Sequence, residues 1–151
     1  MTTYGLADVR RLTGATRAQM IHWTTTKVVR AQTPRTEGTG HPRLFSGDEL
    51  AAIRVAVELA NQFKIPVSTL RLVLILVRNA LRRQDELFWV TFVRVDPRHP
   101  HKTMRGWSGT YWQFAPHLLS SRSTGEDNML TGLLVDLVAI RAELRQAGAT
   151  W

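Results

Sequence analysis

Hydrophobic residues near the start of the chain recur with the period of two short helices. In GLADVRRLTGAT, Leu6, Val9 and Leu12 lie on one stripe, and Gly14 follows where a left-handed residue commonly ends a helix. Thr16 can then cap a second helix through its hydroxyl. Two short helices joined by a turn that contains glycine predict a helix-turn-helix.

The second of these helices divides its residues between two faces. Met20 and Trp23 are three positions apart and share one face. The residues that point the other way are Arg17, Ala18, Ile21 and His22. A helix this short is unstable alone in water, so we expect a core to hold one face and a partner to use the other.

The next stretch, KVVRAQTPRTEGTGHPRLF, predicts a β-hairpin. Residues 28–31 and 43–45 can form short strands, and the threonine, proline and glycine residues between them are typical of a loop. A hairpin that follows a helix-turn-helix is a wing. The positively charged and histidine side chains along it are Arg30, Arg35, His41 and Arg43.

Two longer helices follow the predicted wing. Ser46, with Glu49 three residues later, is a capping-box signature that predicts a helix to about Phe63. Pro66 interrupts the chain, and another helix is predicted to run to about Arg83. The inward stripes are Leu50, Ile53, Val57 and Ala60 on the first helix and Leu70, Val73, Leu74, Val77 and Leu81 on the second. The apolar residues on the other side of the second helix are Leu72, Ile75 and Leu76. Two faces of this helix are therefore predicted to be covered.

Beyond residue 83 the pattern changes from helical to extended. LFWVTFVRV (87–95) is rich in β-branched and aromatic residues and predicts a strand, DPRHPHK predicts a turn, and GTYWQF (109–114) predicts a partner strand. Residues 130–147 fit either one helix or a strand to Val135 with Asp136 capping a helix. Gly132 and the Leu-Leu-Val run favour the strand followed by the helix.

These elements predict a mainly α fold with a small β component, in the α+β class. Residues 1–83 are predicted to form a winged helix-turn-helix domain. Residues 84–151 are predicted to form a small domain of a β-hairpin and a helix.

Composition limits the chemistry that the chain can perform. Its 151 residues include no cysteine, which removes disulfides, thiolate metal sites and cysteine nucleophiles and is compatible with a reducing compartment. MTTYGLADVRR has no apolar signal core, and no window approaches the length of a membrane span. We therefore expect a soluble, cytoplasmic protein without a membrane partner.

Charge is distributed unevenly along the chain. The net formal charge is +8; residues 1–83 carry 13 Lys/Arg against 5 Asp/Glu, whereas residues 84–151 carry 7 of each. A one-sided basic field is typical of proteins that bind polyanions, although a solvated basic surface has the same composition. The charge favours nucleic acid as a partner of the first part of the chain.

The order and spacing of several segments resemble MerR-like winged helix-turn-helix regulators over about residues 4–75. These segments are YGLADVRRLTGATRAQMIHW, the basic hairpin, RLFSGDEL and FKIPVSTLRLVL. The points of resemblance are the turn at 13–15, Trp23 at the helix end, Arg43 before the aromatic Phe45, the Ser46 cap and a helix opening after Ile65. The resemblance implies a regulator that bends or untwists its DNA site.

The chain also departs from that family. Many members have arginine where this chain has Ile21, an acidic residue where it has Thr24, and Gly-Leu where it has Val28-Val29. One phosphate contact implied by the resemblance is thus missing, and Arg17, one turn earlier, is its candidate replacement. The long coiled-coil helix usual beyond residue 83 is replaced by a segment faintly similar to the β-plus-helix tails of some actinobacterial regulators and of antitoxins with this module.

The resemblance and the helix faces together assign candidate DNA contacts. Arg17, with Thr16 and His22, is predicted to enter the major groove, where arginine can contact guanine in a bidentate fork. Whether Arg17 meets a base or a phosphate stays open. The wing arginines predicted to meet phosphates are Arg30, Arg35 and Arg43, with His41 on the same hairpin.

Other candidate chemistry is weaker. His99 and His101 have the spacing of a metal pair, but nothing nearby completes four zinc ligands, so neither a metal nor a cofactor is predicted. The pieces of a hydrolytic triad are His117, Ser120, Ser121 and Asp136, and no GxSxG turn surrounds either serine, so an enzyme is not expected. The aromatic cluster that fits a core or an interface better than an effector pocket is Trp89, Trp107, Tyr111 and Trp112.

The function predicted from these patterns is a sequence-specific regulator of transcription that binds double-stranded DNA. We expect a nucleoid-associated homodimer on a pseudo-palindromic site. The predicted dimer interface is Phe88, Trp89, Phe92, Leu137, Ile140 and Leu144. Two alternatives stay open: an antitoxin whose second half neutralises a toxin partner, and a phage-type architectural or recombination-directionality factor.

Overall fold

The computed structural model describes residues 2–32, 43–92, 104–110 and 131–150. In these ranges the chain is mainly helical with small antiparallel sheets, so the predicted α+β class is confirmed. The helices are α1 (Leu6–Thr13), α2 (Arg17–Thr25), α3 (Gly47–Gln62), α4 (Val67–Arg82) and α5 (Leu137–Gln146). The strands are β1 (Thr3–Tyr4), β2 (Phe45–Ser46), β3 (Leu87–Phe92), β4 (Met104–Gly109) and β5 (Thr131–Asp136).

Contacts divide the chain into two compact units. The first consists of Met1–Arg78 together with Ala139–Trp151, and the second of Asn79–Val138. Most of α5 therefore belongs with the N-terminal helices rather than with the strands that precede it. The predicted domains 1–83 and 84–151 assign this helix to the other part of the chain.

The first two helices lie where the sequence predicts them. α1 ends at Gly14, whose φ of +74° is left-handed and whose N–H donates to the Arg10 carbonyl at 3.0 Å. The glycine suits this position because a Cβ is strained at positive φ. Thr16 then caps α2, as predicted: its hydroxyl accepts from Gln19 N–H at 3.1 Å, and its own N–H donates to the Gln19 side chain at 2.9 Å.

α3 and α4 supply many of the buried hydrophobic side chains. α4 belongs to the first unit up to Arg78 and to the second from Asn79. On α4 the predicted stripe is confirmed, since Leu70, Val73, Leu74, Val77 and Leu81 are all buried. α3 is buried more widely than its predicted stripe: the additional buried residues are Ala51, Ala52, Val55, Ala56 and Leu59. The prediction that two faces of α4 are covered is wrong for this single chain, because Leu72 and Ile75 are exposed.

The predicted hairpin between α2 and α3 is only partly correct. Residues 28–31 form no strand; Lys27 has a left-handed φ of +58°, and the N–H groups of Val28 and Val29 both donate to the Trp23 carbonyl, at 2.9 and 3.1 Å. These bonds close the end of α2 and divert the backbone from strand pairing. β2 pairs instead with β1, through Tyr4 opposite Phe45. One bond from Gln32 N–H to the Leu44 carbonyl, 2.7 Å, joins the two limbs, and residues 33–42 lie outside the described ranges.

The second unit contains a three-stranded antiparallel sheet in the order β4-β3-β5. The strand predicted from LFWVTFVRV is confirmed as β3, with Phe88 opposite Ser108 on β4 and Val135 on β5. Its partner runs over 104–109 rather than the predicted 109–114, of which 111–114 are outside the described ranges. The strand-then-helix interpretation of residues 130–147 is confirmed. The third strand makes β3 a central strand that is paired on both sides, which stabilises the sheet beyond an isolated hairpin.

The end of the chain is attached to the N-terminal helices. The Tyr4 hydroxyl donates to the Thr150 carbonyl at 2.5 Å and accepts from the Thr150 N–H at 2.7 Å. Arg11 donates to the Ala147 carbonyl at 3.1 Å, and Arg54 pairs with Glu143 at 3.2 Å. Residues 139–150 therefore complete the fold of the first unit.

Candidate nucleic-acid interface

α2 has one buried and one exposed face. Met20 and Trp23 are buried, as predicted, and attach this 9-residue helix to the core of the first unit. The exposed residues are Arg17, Ala18, Ile21, His22 and Thr25. Because the opposite face of this helix is packed in the core, the exposed side chains project from a fixed helix rather than from a loop.

Hydrogen bonds fix both ends of α2. At its start, the Gln19 side chain accepts from Thr16 N–H and donates to the Asn61 side-chain oxygen at 2.9 Å, which links the first turn of α2 to the end of α3. At its end, the Trp23 carbonyl accepts from the N–H groups of Val28 and Val29. The orientation of the exposed face is therefore set by α3 and by the chain that leaves α2.

Arg43 lies against one edge of α2. Its guanidinium donates to the Thr24 hydroxyl at 2.7 Å, and that hydroxyl donates in turn to the Met20 carbonyl at 2.7 Å. Thr24 is seven positions after Arg17, so the two lie on the same side of α2, about 10 Å apart along its axis. Because Thr24 is neutral, Arg43 keeps its full positive charge beside the exposed face.

Arg30 is positioned through its backbone. The Glu49 carboxylate accepts from Arg30 N–H at 2.7 Å. The same carboxylate receives two bonds from Arg78, 2.8 Å from Nε and 2.6 Å from a terminal nitrogen, and that nitrogen also donates to the Val28 carbonyl at 2.6 Å. Glu49 and Arg78 are both buried. This buried pair, the Glu49–Arg78 pair below, holds the start of the segment between α2 and β2, while the Arg30 side chain stays exposed.

Pairing with carboxylates distinguishes several arginines of the first unit from those near α2. Arg11, Arg54 and Arg78 each pair with a carboxylate. Within the ranges that the structure describes, Arg17, Arg30 and Arg43 form no such pair. The sequence from residue 9 to residue 36 contains six Lys/Arg and no Asp/Glu. The charge of this region is therefore uncompensated where α2 is exposed.

The predicted DNA contacts fall into three groups. Thr16, Arg17 and His22 lie together at the N-cap and on the exposed face of α2, and Arg43 lies at its edge. Arg30 is tied to the buried pair rather than to a β-strand. Arg35 and His41 fall outside the described residues, as do His99 and His101.

The structure places most residues of the predicted dimer interface in the interior of the single chain. Four of them are buried within the single chain: Phe88, Leu137, Ile140 and Leu144. Their side chains are already covered by this chain's own atoms, so they offer no surface to a second copy. Trp89 and Phe92 lie on β3, but their side chains are outside the described part, as are those of Trp107, Tyr111 and Trp112.

Sequence reasoning missed three residues near this surface. Lys27 is an exposed cation directly after α2. Arg78 was detectable in principle, because it lies between Leu74 and Leu81 on the buried stripe of α4, where an arginine needs a partner. Glu49 was assigned to the cap of α3; Ser46 does accept from Glu49 N–H at 3.2 Å, but the carboxylate turns to Arg78 instead.

Two other kinds of feature are absent from the described residues. No group of three or more histidine, aspartate or glutamate side chains there is arranged to hold a metal ion. No helix there is long and apolar enough to cross a membrane.

Comparison with known proteins does not assign the chain to a family. No family model matches it, and no curated protein is significantly similar to it. The likeness to MerR-like regulators therefore stays a resemblance carried by the residues quoted above.

Proposed function

We propose that this chain is a sequence-specific regulator of transcription that binds double-stranded DNA. One observation carries the proposal: α2, held by Met20 and Trp23, exposes a rigid face with Arg17 and His22 and without a carboxylate. In this proposal α1, the turn at Gly14 and α2 act as a helix-turn-helix, and the segment between α2 and β2 acts as the wing. The chain then belongs to the winged helix-turn-helix class.

The recognition step follows from the position of these side chains. The N-terminal residues of a recognition helix meet base edges when the helix lies in the major groove. Arg17 is in the first turn of α2, and Thr16 precedes it with a hydroxyl proton still free to donate, since that oxygen accepts from Gln19. Arg43, at the edge of α2, meets a phosphate and sets the register of the helix in the groove.

We also propose that the protein acts as a homodimer. A pseudo-palindromic site needs a second α2 related to the first by a two-fold axis. Because the predicted interface residues are largely buried, the dimer must use other side chains. Leu72 and Ile75 on α4 are exposed and adjacent, and they supply apolar surface for such a contact.

Replacing Arg17 by alanine should weaken binding to a specific duplex by ~1–3 kcal/mol and weaken binding to random DNA much less, because arginine discriminates bases through paired bonds. Replacing Arg43 by alanine should weaken both equally and reduce the slope of log affinity against log salt by about 0.9. Gel shifts over a range of salt concentrations measure both effects, with the duplex selected from a random pool by the full chain.

The matched control is Lys64→Ala, which removes one positive charge from an exposed position between α3 and α4. It should leave the ratio of specific to random affinity unchanged. If Arg17→Ala weakens binding to the specific and the random duplex equally, Arg17 contacts a phosphate rather than a base. Failure of the full chain to bind any duplex would refute the proposed function.

Light scattering should give a mass of twice 17.1 kDa for the full chain. Leu72→Asp should shift the mass towards the monomer, because it places a charge in the apolar contact. Phe63→Asp is the control, since Phe63 is 53% exposed and lies outside α4. A monomeric wild-type protein would contradict the dimer, and a dimeric Leu72→Asp variant would exclude this surface.

A further inference from the structure

The centre of the exposed face of α2 is apolar. Successive residues of an α-helix are rotated by about 100°, which places Ile21, Thr25 and Ala18 between Arg17 at one edge and His22 at the other. Ile21 is 52% exposed, and no other residue of this face has a large hydrophobic side chain. A single exposed isoleucine is common on protein surfaces, but this one occupies the middle of the surface proposed to meet DNA.

Hydrogen bonds within the helix make this central strip more apolar than its sequence indicates. The Thr25 hydroxyl donates to the Ile21 carbonyl at 2.9 Å, so its proton is used inside the helix. What Thr25 offers outward is its methyl group and an oxygen that can only accept. Ala18 and Ile21 have no polar side-chain atoms. The strip of Ala18, Ile21 and Thr25 therefore cannot donate a hydrogen bond to a ligand.

The surroundings of this strip favour DNA over an apolar protein groove as its occupant. Arg17 and His22 flank the strip, and Arg43 stands at the edge of the same helix with no carboxylate partner among the described residues. A ligand that covers the strip must therefore present an apolar group that is flanked by negatively charged groups. In the major groove that description fits one group, the C5-methyl of thymine, between two phosphate backbones.

We propose that α2 recognises thymine methyl groups, with Ile21 as the residue that determines this preference. The inference rests on the proposed function and narrows it to a base. Ile21 packs against a thymine C5-methyl in the major groove, and Ala18 and the Thr25 methyl extend the same apolar contact. Arg17 and His22 bond to acceptors on either side, so the preferred site contains thymine where the middle of α2 lies.

The expected size of the effect follows from the burial of one methyl group. Removing a buried methyl from such a contact weakens binding about fourfold. Ile21→Ala should cost at least this much, because it removes the protein's side of the same contact. Alanine favours the helix and Ile21 is exposed, so α2 should fold normally in the variant.

The test uses a duplex selected by the full chain from a random pool. Deoxyuridine replaces thymidine at one position at a time, which deletes only the C5-methyl and keeps base pairing and the O4 acceptor. Wild-type affinity should fall about fourfold at one or two positions. Ile21→Ala should bind the unmodified duplex more weakly and show no further loss at those positions, as a double-mutant cycle requires for a direct contact. Phe63→Ala, at a similarly exposed residue, should keep the full sensitivity to uracil.

Two results would overturn the inference and leave the proposed function intact. One is a selected duplex on which uracil at every position leaves wild-type affinity unchanged. The other is an Ile21→Ala variant that keeps the wild-type sensitivity to uracil, which would place another residue at the methyl. A chain that enriches no sequence and binds no duplex would instead refute the proposed function itself.

Discussion

Replacing Arg78 by methionine should lower the free energy of unfolding by about 3–5 kcal/mol, because it leaves the Glu49 carboxylate buried without its cation. The guanidinium gives that carboxylate two hydrogen bonds and gives the Val28 carbonyl another. Methionine has a similar volume and fills the space, so the loss reports the unpaired polar groups rather than a cavity. A loss of this size is a large part of the ~5–15 kcal/mol that holds a domain together.

Urea unfolding followed by tryptophan fluorescence measures this loss. The control is Arg54→Met, because Arg54 also pairs with carboxylates but is partly exposed, and such pairs contribute about 0–1 kcal/mol. The double variant Glu49→Leu with Arg78→Met removes both charges and should recover only part of the loss. Arg30 N–H would still lack the acceptor that Glu49 provides. Equal stability of Arg78→Met and Arg54→Met would show that the buried pair stabilises the fold no more than the partly exposed pairs do.

The Glu49–Arg78 pair also carries a functional expectation. It holds Val28 and Arg30 at the exit from α2, where the chain leaves the proposed recognition helix for the proposed wing. If the wing contacts phosphates, a variant that folds normally but holds residues 28–30 less firmly should bind all DNA sequences more weakly. Its preference among bases should stay the same. Glu49→Gln suits this test, since its side-chain oxygen can still accept from Arg30 N–H while an NH2 group replaces the charged oxygen that accepts from Arg78 Nε.

Removing residues 139–151 should abolish cooperative unfolding of the N-terminal helices. This segment contributes Ile140 and Leu144 to the first unit, and both are buried. Each costs about 2–5 kcal/mol when truncated to alanine, so their joint loss approaches the whole stability of a domain. The bonds from Tyr4 and Arg11 to Thr150 and Ala147 would disappear as well.

Point variants test the same expectation in the full chain. Leu144, 1% exposed, should cost about 2–5 kcal/mol as Leu144→Ala. Val138, 44% exposed on the same helix, should cost about 0.5 kcal/mol or less as Val138→Ala. Circular dichroism and urea titration of these variants and of the 1–138 chain measure the differences. A 1–138 chain that unfolds cooperatively at the wild-type urea concentration would show that α5 is not part of this unit.

Local patterns predicted the helices of this protein well. Gly14, Thr16 and Ser46 end or begin helices within one turn of their own positions, so their signals need no knowledge of the rest of the chain. The inward and outward faces of α2 also followed from the spacing of Met20 and Trp23 alone. Apolar periodicity and capping chemistry act between residues three or four apart, which is why a sequence displays them.

Two predictions failed because a sequence pattern does not show which partner a backbone group or an apolar side chain takes. The sequence indicated a strand at residues 28–31 because valine favours strands, but two bonds to the Trp23 carbonyl folded these residues back onto α2. It also indicated a dimer interface on Leu137, Ile140 and Leu144, because the sequence does not show which part of the chain covers their apolar stripe. The chain itself covers them.

By itself the sequence determined the helical segments, the exposed face of α2 with Arg17, Ile21 and His22, and the basic character of the region around it. Only the tertiary structure decided that Glu49 serves Arg78 rather than the cap of α3, and that the end of the chain is attached at Tyr4. Those partners are separated by 29 and 146 positions. No hydrophobic period or local motif predicts a pairing over such a separation. A buried polar side chain finds its partner only after the elements between the two have packed.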